Sequence, residues 1–236
     1  MMIKHFERNT AGRDLVIGDI HGHFSKLQQA LDAVGFDPAA GDRLFSVGDL
    51  VDRGPESSLV LEWLAKPWFH AVQGNHETML IDFDRGEMSA GHYAQNGGAW
   101  FIGMDLCTRP QYVRAVEQLP LAIEVETAAG LVGIVHADCP LASWTDFAEA
   151  LRTGAVTEHQ VTYAQWSRRR IDGRHKEGIK GAAAVIVGHT PIERCGYLGN
   201  VMYIDTGAWI PGGGDFALID AGTLALATRC SGEVAA

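Results

Sequence analysis

Five places in the chain put a carboxylate, an imidazole or an amide directly behind a short apolar run. They read "VIGDIHGH" (16–23), "FSVGDLVDRGP" (45–55), "AVQGNHE" (71–77), "GIVHAD" (133–138) and "VIVGHTP" (185–191). The residues so placed are Asp19 and His21, Asp49, Asn75 and His76, His136, and His189. Each can ligate a metal ion or move a proton. Oxygen and imidazole donors without a thiolate suit Mn, Fe or Zn and argue against a zinc site built on cysteines. Two aspartates, three or four histidines and an asparagine exceed one tetrahedral set. Two divalent ions roughly 3.5–4 Å apart, bridged by one carboxylate, would use them all. Asp49, in the middle of the ligand order, is the candidate bridge.

One such loop by itself is explained by helix capping or turn chemistry. Five of the same construction are more than folding asks for, and "GDLVDRG" (48–54) packs two aspartates and an arginine into seven residues. Histidines 5, 23, 70, 92, 159 and 175 fall outside the pattern and read as structural or surface residues, with His23 expected in a first helical turn.

The elements that must position these groups are short strands followed by helices. "DLVIGD", "RLFSVGD", "FHAVQGNH", "LVGIVH" and "AVIVGH" are Val/Ile-rich runs of buried-strand length. Helical periods follow the first three, over 24–35, 57–65 and 77–86. In the first of these, Phe24, Leu27, Leu31 and Val34 form one stripe and Gly35 a stop. Strand–loop–helix repeated in this way predicts an α/β fold in which the carboxyl ends of parallel strands share one sheet edge, so that the loops converge. Residues 89–118 and 144–172 read as mainly helical, and the tail as two β-hairpins around Gly199–Asn200 and Ala221–Gly222. No linker, repeat or low-complexity tract breaks the chain, which predicts one domain over residues 1–236.

Composition narrows the partners. The chain has 236 residues, 47% hydrophobic and 20% charged, with a net charge of −10. Nucleic-acid backbone binding over a broad surface needs clustered Lys and Arg, and "RRR" (168–170) is the one basic cluster. No apolar run approaches the ~18 residues of a membrane helix, and no secretion signal is visible, so a cytoplasmic enzyme is expected, without nucleic-acid or membrane partners. Cysteines 107, 139, 195 and 230 are widely spaced and read as free thiols.

"GDIHGH", "GDLVDRGP", "GNHE", "VHAD" and "VGHTP" together resemble the motif series of the calcineurin-like metallophosphoesterases. More narrowly, they resemble the PPP-type serine/threonine protein phosphatases, especially the small phage and bacterial type. The resemblance implies a fold of central mixed β-sheets flanked by helices and a two-metal centre, most simply with Mn²⁺. Asp19, His21 and Asp49 would hold the first ion; Asp49, Asn75, His136 and His189 would hold the second. It also implies His76 as general acid oriented by Asp52, Arg53 as a phosphate ligand, and a second phosphate arginine from "WSRRR". Arg168 is the candidate, with Arg169 and Arg170 left open. One departure stands out. Where many relatives have a glycine pair after the fourth motif's histidine, this chain reads "HADCP" (136–140), which bears on the shape of the substrate cleft. Cys139 reads there as a packed thiol rather than a ligand.

The expected activity is hydrolysis of phosphoserine and phosphothreonine in a protein or peptide substrate, with phosphotyrosine open, by direct attack of an activated water. The alternatives are symmetrical hydrolysis of diadenosine tetraphosphate, which uses the same motifs, and a scaffold that has lost its chemistry. Retention of every ligand position argues against the scaffold, and two phosphate arginines suit a dianionic monoester better than a diester.

Overall fold

The computed structural model describes residues 2–227, so Cys230 lies outside the described residues. In chain order the strands are β1 (Ile3–Phe6), β2 (Asp14–Ile17), β3 (Arg43–Ser46), β4 (Phe69–Ala71), β5 (Ala122–Thr127), β6 (Gly130–Val135), β7 (Ala184–Val187), β8 (Gly196–Leu198), β9 (Val201–Tyr203), β10 (Leu218–Asp220) and β11 (Ala225–Leu226). The helices are α1 (Phe24–Ala33), α2 (Val60–Leu64), α3 (Asn75–Asp84), α4 (Ala90–Gln95), α5 (Ala99–Ile102), α6 (Arg109–Glu117), α7 (Trp144–Thr153), α8 (Glu158–Trp166) and α9 (Arg169–Gly173).

The strands form two mixed sheets, in the orders β1-β5-β6-β7-β9-β8 and β11-β10-β2-β3-β4. β2, β3 and β4 are mutually parallel in one sheet. β6 and β7 are parallel in the other. The five motif strands are thus divided between two sheets, which corrects the expectation of a single shared edge. The reason lies in their side chains, which are apolar on both faces. Leu15 and Ile17 of β2 pack outward against α1 and α3, together with Phe24, Leu27, Leu31 and Leu80. Val16 points the other way and meets Ile134, Ile186 and Ile204 in a core between the sheets. On the far side, Val185 and Val187 of β7 pack with Trp144, Phe147 and Leu151 of α7. A strand buried on both faces needs a layer on each, and the result is helices, sheet, sheet, helices.

α1 ends where the periodicity predicts, with Gly35 at φ +59°. His23 sits just before the first turn rather than in it, its Nδ1 2.7 Å from the His21 carbonyl. The predicted helix over 57–65 begins as a 3₁₀ turn, Ser57–Leu59, before becoming α2. α3 starts two residues earlier than its apolar period, so the motif residues Asn75 and His76 lie in its first turn. Both tail hairpins are present, β8 with β9 and β10 with β11.

Candidate active site

Every motif residue named from the sequence reaches one place, where the carboxyl ends of β2, β3 and β4 meet those of β6 and β7. The Nδ1–H of His136 donates to the Val47 carbonyl at 2.7 Å and ties the two sheets together at this point. Asp19, His21, Asp49, Asp52, Asn75, His76, His136 and His189 are all buried. The connecting backbone is strained to bring them there. Seven non-glycine residues with positive φ occur among the described residues, and His21, Asp49, Asp52, Arg53 and His189 are five of them. Such conformations cost of order 1–3 kcal/mol each and persist where the surroundings over-determine them.

Asp49 is the centre. Its Oδ2 lies 3.4 Å from His136 Nε2, 3.6 Å from His21 Nε2 and 3.9 Å from His76 Nε2. Its Oδ1 accepts the backbone N–H of His76 at the start of α3, where helix N–H groups favour a negative charge. Asn75 Oδ1 stands 2.8 Å from His136 Nε2 and 2.9 Å from His189 Nδ1. Two groups of three donors share Asp49: His21, Asp49 and His76, and Asp49, His136 and His189. Asp19 stands slightly further out, its Oδ2 4.0 Å from His21 Nε2, with its carboxylate accepting the His189 backbone N–H. Geometry alone therefore places His76 as close to the first group as Asp19.

The outer ring nitrogens are already committed, which orients the inner ones. His21 Nδ1–H donates to the Val51 carbonyl at 2.9 Å, leaving Nε2 facing inward beside Asp49. An outer hydrogen bond of this kind fixes the tautomer that a metal-ligating histidine needs. His76 differs. Its Nδ1 is paired with Asp52 Oδ2 at 2.8 Å, and Asp52 Oδ1 accepts Tyr93 Oη–H at 2.9 Å and Trp100 Nε1–H at 2.7 Å. Asp52 is fully buried and has a donor on every side, so it is a rigid anchor for that one imidazole.

The charges are unbalanced in a way that a cation would correct. Burial, the neighbouring Asp205 and the Asp49 charge raise the Asp19 carboxyl well above the usual range. Burial opposes ionisation of Asp49 too, but His136, His76 and His21 hold its carboxyl well below that range. Burial lowers His136, yet the Asp49 carboxylate against it wins and carries it to about 10. Burial and the charge of His136 push His189 down to about 3. Buried carboxylates, inward lone pairs and donor separations of 2.8–4.0 Å are what ligands about 2.0–2.2 Å from a shared ion require. The residues fit a pair of divalent cations.

The cluster opens into a cavity of about 340 Å³ lined by Asp49, Arg53, Asn75, His76, Asn96, Trp166, Arg168 and His189. Both Arg53 and Arg168 are exposed there, and Arg170 is not in the lining. Arg53 is held over the Trp209 ring, 4.2 Å from its centroid, with Nη1 3.0 Å from His21 Nε2. A larger cavity of about 430 Å³, against α1 and residues 215–227, lacks converging acid–base groups; its Lys26 is committed to the Ala208 and Gly214 carbonyls.

Several residues here escaped the sequence reading. Glu77, the last residue of "GNHE", accepts the backbone N–H groups of Asp49, Leu50 and Gly74 at 2.9, 2.7 and 2.8 Å. It thereby clamps the second motif loop onto α3. Burial and Asp49 lift its carboxyl to about 7 against the pull of those donors. Its place directly after His76 was the available signal. Tyr93, Trp100 and Trp209 had none. Cys139 is the packed thiol expected, with its Sγ 3.3 Å from the Leu141 carbonyl and burial pushing it up to about 12.

Two motif glycines are demanded by the carboxylates themselves. A Cβ at Gly74 would overlap Asp49 Oδ1, and one at Gly188 would overlap Asp19 Oδ1. Gly188→Ala is therefore expected to displace Asp19, lowering metal content, and to destabilise the fold by about 1–3 kcal/mol, the usual cost of overpacking. Elemental analysis with a denaturant titration checks both, and a variant retaining full metal content would rule out this placement of Asp19.

A two-sheet α/β fold with this carboxylate, imidazole and amide cluster at its joined edges has the features of a metal-dependent phosphoesterase. Residues 13–205 match the model of the calcineurin-like phosphoesterases, and the chain belongs to that family. It is 39% identical over 196 residues to serine/threonine-protein phosphatase 1 of Salmonella typhimurium, covering 82% of this chain and 85% of that one. It is 33% identical to serine/threonine-protein phosphatase 2 of Escherichia coli, covering 82% and 86%. Similarity to a symmetrical bis(5'-nucleosyl)-tetraphosphatase of Dechloromonas aromatica reaches 41% identity, but over only 38% of this chain and 29% of that one. Among solved structures, a serine/threonine phosphatase from Saccharomyces cerevisiae has the same fold, with a TM-score of 0.59 at 17% identity, covering 94% and 77% of the two chains.

Proposed function

We propose that the chain is a single-domain phosphoprotein phosphatase that hydrolyses phosphoserine and phosphothreonine monoesters. The observation that carries this reading is the pairing, in one cavity, of a buried metal-type donor cluster with two exposed arginines, Arg53 and Arg168. A monoester dianion presents three equatorial oxygens, which two guanidinium forks can grip while charge spreads over them in the loose transition state. Asp19, His21 and Asp49 would hold one ion, and Asp49, Asn75, His136 and His189 the other. When bound, the pair supplies an activated water and offsets the charge on the phosphoryl oxygens. Mn²⁺ suits the oxygen-rich half of the donor set; Fe and Zn are the other candidates.

His76 is assigned to proton donation rather than ligation. Asp52 holds its Nδ1–H and aims Nε2 into the cavity, where it can protonate the departing alkoxide of a serine or threonine. The carboxylate keeps the ring from turning, as the buried partner of a catalytic histidine must. Among the described residues, Cys107 and Cys139 stand outside any disulfide, which fits a reducing, cytoplasmic setting.

The test is to strip the protein of metal, reload it with Mn²⁺, and assay phosphoserine peptide, phosphotyrosine peptide, diadenosine tetraphosphate and a phosphodiester. Preference for the phosphoserine peptide is expected. Preference for the dinucleotide would replace this reading with the tetraphosphatase one. Arg168→Ala should raise KM for phosphate esters roughly ten- to hundredfold, the worth of a hydrogen bond to a charged group, with little change in kcat. Arg169→Ala, on an exposed residue outside the cavity lining, should leave both unchanged. The reverse result would move the phosphate contact to Arg169.

A further inference from the structure

Two sequence features found no role in the proposed chemistry: the aspartate in "HADCP" and the last arginine of "SRRR". The structure joins them. Arg170 Nε donates to Asp138 Oδ1 at 2.9 Å, and Arg170 Nη1 donates to the Glu177 carbonyl at 2.7 Å. Asp138 is fully buried; its Oδ1 also accepts the Cys139 backbone N–H, and Tyr163 Oη–H reaches its Oδ2 at 3.3 Å. Arg170 is its sole ion-pair partner among the described residues.

Arg168 lies between these anchors. α8 ends at Trp166, Ser167 is extended, and Arg168 caps the five-residue α9. α9 has no fully buried residue, and its apolar contact with the core is the half-buried Ile171 alone. A helix so short has little stability of its own. Beyond that contact, what holds the turn is polar. On the α8 side, Gln165 Nε2 donates to Thr78 Oγ1 at 2.8 Å and to the Gln73 carbonyl at 3.3 Å, and the Ala164 carbonyl accepts Ala137 N–H at 2.8 Å. On the α9 side the polar side-chain tether to the body of the protein is the Asp138–Arg170 pair, two residues beyond Arg168.

We propose that Asp138 is a positioning residue for Arg168, acting through Arg170, so that one ion pair ties the arginine that grips phosphate to the loop behind His136. This rests on the reading of Arg168 as a phosphate ligand. The triplet then divides its labour: Arg168 faces substrate, Arg169 faces solvent, and Arg170 is spent on the tether. The departure from glycine behind His136 supplies the anchor.

The experiment is a double-mutant cycle on the metal-loaded protein, reading KM and kcat for phosphoserine peptide, the affinity for inorganic phosphate by calorimetry, and metal content. Asp138→Ala is expected to raise KM and weaken phosphate binding by about ten- to a hundredfold, the scale of an approximately 1 Å misplacement. The effect on kcat should be small and metal content unchanged. Asp138→Asn, which keeps an acceptor oxygen, should recover part of the loss, and Arg170→Gln should resemble Asp138→Ala. In an Arg168→Ala background, Asp138→Ala should add nothing further, since its whole effect passes through Arg168. Multiplying effects, or loss of metal in Asp138→Ala, would overturn the inference, the second by showing that Asp138 serves the His136 loop instead. A weakened Arg168→Ala beside wild-type behaviour in Asp138→Asn and Arg170→Gln would overturn it while sparing Arg168. Wild-type phosphate affinity in Arg168→Ala would remove the reading beneath both. If Asp138→Ala does not fold, the Asn and Gln variants carry the same cycle.

Discussion

Asp49→Asn is expected to abolish metal retention and hydrolysis together. The Asp49 carboxylate lies within 3.4–3.9 Å of three imidazole nitrogens and belongs to both donor groups. Asparagine keeps the shape but removes the charge, so each ion would lose a ligand at once. Loss of an outer-shell partner typically costs 10–100-fold in metal affinity, and loss of a shared ligand should exceed that at both positions. Activity should fall below detection at metal concentrations that saturate the wild type. Elemental analysis after dialysis is the direct measurement. Two metals per chain retained in the variant would refute the bridging role, and one retained would confine Asp49 to a single ion. The fold should survive, because Glu77 clamps the same loop through the backbone N–H groups of Asp49 and Leu50.

The second large effect is expected at His76, and its size should depend on the leaving group. A serine alkoxide leaves badly without a proton, whereas p-nitrophenolate departs readily. His76→Asn should lower kcat on phosphoserine peptide by roughly 10²–10⁴-fold, the usual contribution of a general acid, and hurt p-nitrophenyl phosphate far less. Metal content should stay near wild type. That readout is needed because His76 Nε2 lies only 3.9 Å from Asp49 Oδ2, close enough to belong to a three-donor group. Metal loss in the variant would make His76 a ligand, and equal losses on both substrates with metal retained would make it a phosphate contact. Asp52→Asn should show the same leaving-group dependence more weakly, since Asp52 acts by holding the His76 ring. Tyr93 and Trp100 supply the other donors to Asp52 and keep it in place.

Much of this centre is written in local sequence. Apolar runs of strand length followed by Asp, Asn or His are short-range patterns. They state which residues will stand at strand ends whatever the strands later pair with. Asp19, His21, Asp49, Asn75, His136 and His189 could be named for that reason, and the stop of α1 at Gly35 follows from backbone sterics alone. The sheet each strand joins is another matter. β2 and β7 are equally apolar on both faces, so no periodicity distinguishes one sheet from two, and only the helices and the opposing sheet available to cover those faces decide it. The partners of Asp52 are hidden for a related reason. Tyr93 and Trp100 lie 41 and 48 residues beyond Asp52, on helices whose pattern announces a buried face but not what it touches. The arginine triplet shows the division most plainly. Sequence puts Arg168 first but leaves all three guanidinium groups open, and tertiary structure separates them, because the buried Asp138 carboxylate takes Arg170 and leaves Arg168 to the cavity.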